Sequence, residues 1–197
     1  MSAPEPSSSA GIAAGVRLRC GALDIVQIAA RRGRANQLER IARGRAVQLP
    51  ALGRVALGAD QLALCVRPER WLLLSAPASP GATARVWHMA GAGAGTAVDL
   101  SSGVAALHLA GAAASEVLLR GCRLDLDAEA FPVGAAAATL IAQVSMILAA
   151  LPSGVLLLTP SSTARHVRAW LSGVARPFGL VPQTGFTIAE LSGDQLS

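Results

Sequence analysis

The chain has 197 residues, 52% hydrophobic and 15% charged, with a mean hydropathy of +0.48. That composition excludes an intrinsically disordered protein and supplies ample apolar surface for a core. The formal net charge is +5, and it is uneven: residues 1–54 hold nine arginines against Glu5, Asp24 and Glu39, and the remainder is nearly balanced.

Residues 1–19 are expected to form a disordered leader, because a basic stretch followed by an apolar run, the mark of a signal peptide, is missing. Ala22 to Ala30 then reads as a strand, and Arg34 to Arg43 as a helix with Leu38 and Ile41 at helical spacing, stopped by Gly44. Arg54 to Gly58 and Gln61 to Val66 are short strands. The turn Arg67-Pro68-Glu69-Arg70 returns the chain into Trp71 to Ser75. Ala82 to Ala90 is a helix, residues 91–95 a Gly/Ala linker, and Thr96 to Leu100 a strand. In the second half Val104 to Leu109 is a strand and Ala112 to Arg120 a helix stopped by Gly121. Cys122 to Gly134 is a long acidic connection. Thr139 to Leu151 forms one or two strands and Gly154 to Leu158 pairs back. Thr163 to Ala175 is a helix, and Phe186 to Leu191 a last strand.

Both halves thus read strand-helix-strand-strand-helix-strand, the split βαβ order. Trp71-Leu-Leu-Leu-Ser75 with Thr83-Ala-Arg85 is echoed by Val155-Leu-Leu-Leu-Thr159 with Thr163-Ala-Arg165. The expected fold is α+β, two tandem ferredoxin-like plaits. They span residues 20–102 and 103–180, and residues 181–197 form a C-terminal extension.

Chemistry-bearing motifs are scarce. Cys20, Cys65 and Cys122 are odd in number and widely spaced, which argues against a disulfide framework and against a cysteine-based zinc site, and fits a reducing cytoplasm. His88, His108 and His166 lack ligand spacing. Asp125, Asp127 and Glu129 have the two-residue spacing of a calcium loop without its glycine or final glutamate, so they read as a solvated turn. The glycines of 91–95 follow a helix and precede a strand, the reverse of a phosphate-binding loop. From Ala130 to Ala164 no residue is charged; a run of this kind suits buried strands as well as a membrane span, and no membrane partner is expected. The basic N-terminal third admits an RNA-binding reading, but the aromatic triplet of such plaits is missing, so no nucleic-acid partner is expected.

Several stretches resemble the gamma subunit family of heterotetrameric sarcosine oxidase. They are Val98-Asp-Leu-Ser-Ser-Gly103, Leu107-His-Leu-Ala-Gly111, Val117 to Leu126 (VLLRGCRLDL), Ala130-Phe-Pro-Val-Gly134 and Trp170-Leu171. Pro68 to Leu73 also looks like that family's hairpin. The signature positions are Asp99, Ser101, Gly121, Cys122, Asp125, Phe131, Pro132, Gly134 and Trp170. The resemblance implies a fold related to the folate-binding domain of the glycine-cleavage aminomethyltransferase. It implies a structural, non-catalytic subunit with no catalytic, cofactor-binding or metal residues of its own. Its partners would be alpha, beta and delta subunits carrying FAD, FMN, NAD, tetrahydrofolate and zinc, in a cytoplasmic complex that converts sarcosine to glycine. The sequence departs from the family at Gly111 to Ala114, at Ala149-Ala150 and at Pro160 to Thr163, which leaves the amine substrate open. The alternative is a stand-alone folate-binding or aminomethyl-transfer protein, for which Asp99 and Glu116 are the candidate carboxylates.

Overall fold

The computed structural model describes residues 15–193. Most of the expected leader, residues 1–14, lies outside the described residues, as do residues 194–197. The first half comprises β1 (Arg17–Gly21), β2 (Asp24–Ala30), α1 (Ala35–Arg43), β3 (Arg54–Leu57), β4 (Gln61–Arg67), β5 (Arg70–Ser75), α2 (Ala82–Ala90) and β6 (Gly95–Asp99). The second comprises β7 (Val104–Ala110), α3 (Ala114–Leu119), β8 (Ala136–Ile141), β9 (Val144–Leu151), β10 (Gly154–Pro160), α4 (Ala164–Ala175), β11 (Val181–Thr184) and α5 (Ile188–Ser192).

The strands form two sheets, ordered β3-β4-β5-β2-β6 and β11-β1-β7-β10-β9-β8. Strand alternation explains how they stack, since successive side chains leave opposite faces. On β4 and β5, Leu62, Leu64, Leu72 and Leu74 enter one core, while Ala63, Cys65, Trp71 and Leu73 enter another. On β10, Leu156 and Leu158 join the first of these cores, and Leu157 faces a third. The shared core is therefore an inter-sheet layer. Leu38 and Ala42 of α1 and Trp87 of α2 cover the outer face of the first sheet. Val117 of α3 and Val167 and Leu171 of α4 cover the outer face of the second. The sheets are also joined at one corner: β3 donates from Val55 N–H to Gly134 O (2.9 Å), and Ala136 N–H donates to Gly53 O (2.9 Å).

The mixed α+β architecture is as expected. Three strands separate the helices in each half. β3, β4 and β5 are the three strands read from the sequence, and Thr139 to Leu151 resolves into two, β8 and β9, ahead of β10, so each half has one strand more than the split βαβ order. Without β3, the first sheet has the 4-1-3-2 order of a split βαβ plait; without β8 and β1, so does the second. β1 was placed partly in the leader. It instead pairs antiparallel to β7 and parallel to β11, so the second sheet is completed by both ends of the described chain. Residues 100–103 connect β6 of the first sheet to β7 of the second.

Phe186–Leu191 is not a strand. Thr187 and Glu190 form a capping box: the Thr187 side chain accepts from Glu190 N–H, and Glu190 accepts from Thr187 N–H at 2.7 Å, which starts α5. The uncharged run forms β8, β9 and β10. No helix of the described residues is long and apolar enough to cross a membrane.

Candidate functional site

The signature residues fall into three places. The first lies beneath the β8–β9 hairpin. Ala142 and Gln143 make its two-residue turn with left-handed φ values of 47° and 66°. Ala142 N–H donates to Gly121 O at 3.2 Å, and Cys122 bridges to Ile141. A Cβ on Gly121 would lie 2.5 Å from the Trp170 ring, so glycine lets α4 press its indole onto the end of α3. Arg120, Arg123, Leu140 and Gln143 complete a hollow of about 520 Å³ around this contact.

The second place is the connection after Cys122. Asp125 Oδ1 accepts from Asp127 N–H (3.0 Å) and Asp127 Oδ1 from Glu129 N–H (2.9 Å). These are the backbone-capping turns expected of a solvated acidic loop. Phe131 then enters the second half's outer core. Gly134, at φ +87°, donates to Ala150 O at 2.8 Å and accepts from Val55 N–H, so Phe131-Pro132-Val133-Gly134 stitches the two sheets together.

The third place is a polar network at the start of α2. Buried Asp24 accepts from the Thr83 hydroxyl. The Ser101 hydroxyl lies 2.8 Å from Asp24 Oδ1 and 2.6 Å from Asp99 Oδ1, and it has one proton for the two carboxylates. Ser101 Oγ also accepts from Ile25 N–H at 3.0 Å. Hydrogen bonds from the Ser101 side chain and backbone hold the Asp99 carboxyl below the usual carboxylate range. Asp99 and Glu116 are not brought together. Asp99 ends β6 in the first sheet, whereas Glu116 lies on α3 across both sheets and pairs with Arg120 at 3.4 Å.

Two further features carried no clear signal in the sequence. One is a cavity of about 280 Å³ at one end of the inter-sheet layer, walled by Leu64, Leu72, Val104, Ile147 and Leu158, with Gln27, Arg67, Arg70, Ser145 and Thr159 as its polar side chains. The other is His108 on the same face of the second sheet, 1% exposed. Ser153 Oγ donates to Leu191 O (2.9 Å), so its 3.1 Å contact with His108 is donated by His108 Nε2–H. Nδ1 is then unprotonated, and it has no hydrogen-bond partner among the described residues. Burial, aided by nearby Arg19 and Arg17, lowers the His108 pKa to about 4. His88 and His166 are exposed.

The profile of the sarcosine oxidase gamma subunit family matches residues 38–174. No curated protein matches the sequence. Among solved structures, the chain is similar to one from the heterotetrameric sarcosine oxidase of Corynebacterium sp. U-96, in complex with pyrrole 2-carboxylate. That match has 27% identity and a TM-score of 0.73, over 84% of this chain and 86% of the other. Glycine cleavage system aminomethyltransferase T from Bartonella henselae shares the fold at 14% identity and a TM-score of 0.63. There 92% of this chain is covered, and it spans about half (51%) of the longer protein.

Proposed function

We propose that this chain, which belongs to the sarcosine oxidase gamma subunit family, is a non-catalytic assembly subunit of a heterotetrameric oxidase that demethylates sarcosine to glycine. The observation that carries the reading is the end-to-end likeness to one chain of such an oxidase, 84% of this chain against 86% of that one. What the signature residues do supports it. Gly121 and Trp170 pack one helix on another, Gly134 joins the sheets, and Asp99 and Ser101 belong to the network through which Asp24 holds Thr83 of α2. These are jobs of shape, which a subunit needs in order to present fixed surfaces to its neighbours. On this reading the alpha, beta and delta subunits carry the FAD, FMN, NAD, tetrahydrofolate and zinc, and the complex works in the cytoplasm.

The test is a pull-down of the tagged full chain from its native cell, with a visible spectrum of the eluate. Larger subunits should co-elute with flavin absorbance that bleaches on adding sarcosine. Flavin that co-elutes but does not bleach overturns the substrate. A chain that elutes alone and colourless overturns the subunit reading.

A further inference from the structure

The outer helical layer of the first sheet is nearly all one sign. Arg31, Arg32, Arg34, Arg40, Arg43 and Arg45 are exposed on α1 and its flanks, and Arg85 on α2; the acids beside them are Glu39 on α1 and Asp99 next to the start of α2. None of these guanidinium groups reaches a carboxylate: the ion pairs among the described residues are Arg19–Glu190 and Arg120–Glu116. The corresponding layer of the second sheet behaves differently. Across α3, α4 and their flanks, Arg120, Arg123, Arg165, Arg168 and Arg176 meet Glu116, Asp125, Asp127 and Glu129, five basic groups against four acids. A solvated face normally mixes signs in this second way.

Helix stability does not account for the arginines of α1. Arg40 and Arg43 in its last turn favour the helix dipole, but Arg34 occupies the N-cap without a side-chain cap bond, and the first turn has no acid. Arg31, Arg32 and Arg34 therefore oppose the dipole. α2 lies beside α1 on the same sheet: the Arg45 guanidinium stands 5.7 Å from the Trp87 ring centroid, and Leu38 and Trp87 share one core. Its outward face carries Met89, 77% exposed, and Val86, 46% exposed. Apolar groups bordered by arginine over a buried tryptophan have the composition of a protein interface. Single-stranded nucleic acid calls for exposed aromatic platforms, and the indoles of this half, Trp71 and Trp87, are buried.

We infer that the α1–α2 face is a docking surface for an acidic face of a partner subunit, with Met89 and Val86 at its centre and the arginines around them. The inference rests on the subunit reading above and adds the surface and the partner's charge.

The test compares three full-length tagged chains in the native cell: wild type, Arg34→Glu/Arg40→Glu/Arg43→Glu, and the control Arg165→Glu/Arg168→Glu on the opposite layer. The readout is flavin absorbance recovered per chain, washed at about 0.05 M and about 0.5 M salt. The triple variant should lose flavin roughly tenfold or more at low salt, the control should match wild type, and wild-type recovery should fall at high salt. Reversal of Arg40 and Arg43 loses their interaction with the α1 dipole and reversal of Arg34 gains one, so thermal midpoints should agree to within a few degrees. If the triple variant does not fold, Arg34→Gln/Arg40→Gln/Arg43→Gln replaces it, with a smaller loss expected. Equal flavin recovery by the charge variants and wild type overturns the docking face and leaves the subunit reading standing. Wild type without flavin overturns both. Wild type that retains nucleic acid, lost in the triple variant, overturns the acidic-protein partner.

Discussion

The two halves share one wiring and finish their sheets differently. In the first, β6 pairs directly with β2 and is the last strand of its sheet among the described residues, and the helical layer over that sheet is rich in arginine. In the second, β1 takes the place equivalent to β6, β11 is pushed outward, and α5 folds under the sheet. Phe186, Ile188 and Leu191 there enter the inter-sheet core. Among the described residues both sheets end in an edge strand, β6 or β11, but the second half is closed on its inner face by α5 of its own chain and the first has no such cover. A duplicated unit gains a new role most cheaply at its edges and outer helices, because the face it buries against its copy is already committed to packing.

That shared face allows the sharpest break. Leu156 on β10 is fully buried between the sheets. Leu156→Ala should cost about 4 kcal/mol through lost burial and the cavity left behind. Because both halves pack on this layer, urea unfolding should remain a single transition. Circular dichroism reports both halves, and in a Trp170→Phe background the fluorescence of Trp71 and Trp87 reports the first. Separate midpoints for the two signals would show that the halves are independent units.

The next largest effect belongs to the closed half and depends on pH. An unfolded imidazole binds its proton below about 6.5, whereas folded His108 resists until about 4. As pH falls through that window, the unfolded chain alone takes up the proton, and stability declines by roughly 3 kcal/mol. The Glu190 carboxyl is held below its ordinary range, first by the Thr187 backbone hydrogen bond and also by Arg19. Its contribution is lost at still lower pH, in the same direction. His108→Leu should flatten the dependence between pH 6.5 and 4 in denaturant titrations. An unchanged slope would place the proton uptake elsewhere.

Gly121→Ala probes the closed half locally. The new Cβ meets the Trp170 ring at 2.5 Å. Displacing the indole should cost about 2 kcal/mol and shift tryptophan emission to the red. A neutral substitution would mean that α3 and α4 can separate freely.

The order of strands and helices was legible in the sequence because period-2 and period-3.6 patterns are local. β1 was not: Arg17–Gly21 is a strand only because β7 and β11 lie on either side of it, and those partners are remote in sequence. β11 was hidden by Pro182, which an edge strand tolerates but a central one does not. The burial of His108 was missed for a related reason. Alternation correctly sets it opposite Leu107 and Leu109, yet a second sheet and α5 bury that opposite face too. Of the signature residues, the sequence marked the positions through resemblance. That Gly121 exists for the sake of Trp170 needed the fold.

The smallest prediction concerns a signal the sequence did contain. Thr187 and Glu190 have the Ser/Thr-x-x-Glu spacing of a capping box, and Glu190 also reaches Arg19 at 2.9 Å. Thr187→Ala removes the side-chain acceptor for Glu190 N–H and should cost about 1 kcal/mol. The loss should fall mainly on α5, because Phe186 and Leu191 remain available to hold the segment in the core. Hydrogen exchange should therefore quicken at residues 187–193 before it does so in β7 or β10, and His108 should titrate at a higher pH as α5 loosens above it. If exchange quickens uniformly instead, α5 belongs to the same cooperative unit as the sheet. The closed half would then be closed by one indivisible structure, and the contrast with the uncovered first half would be greater than strand order alone suggests.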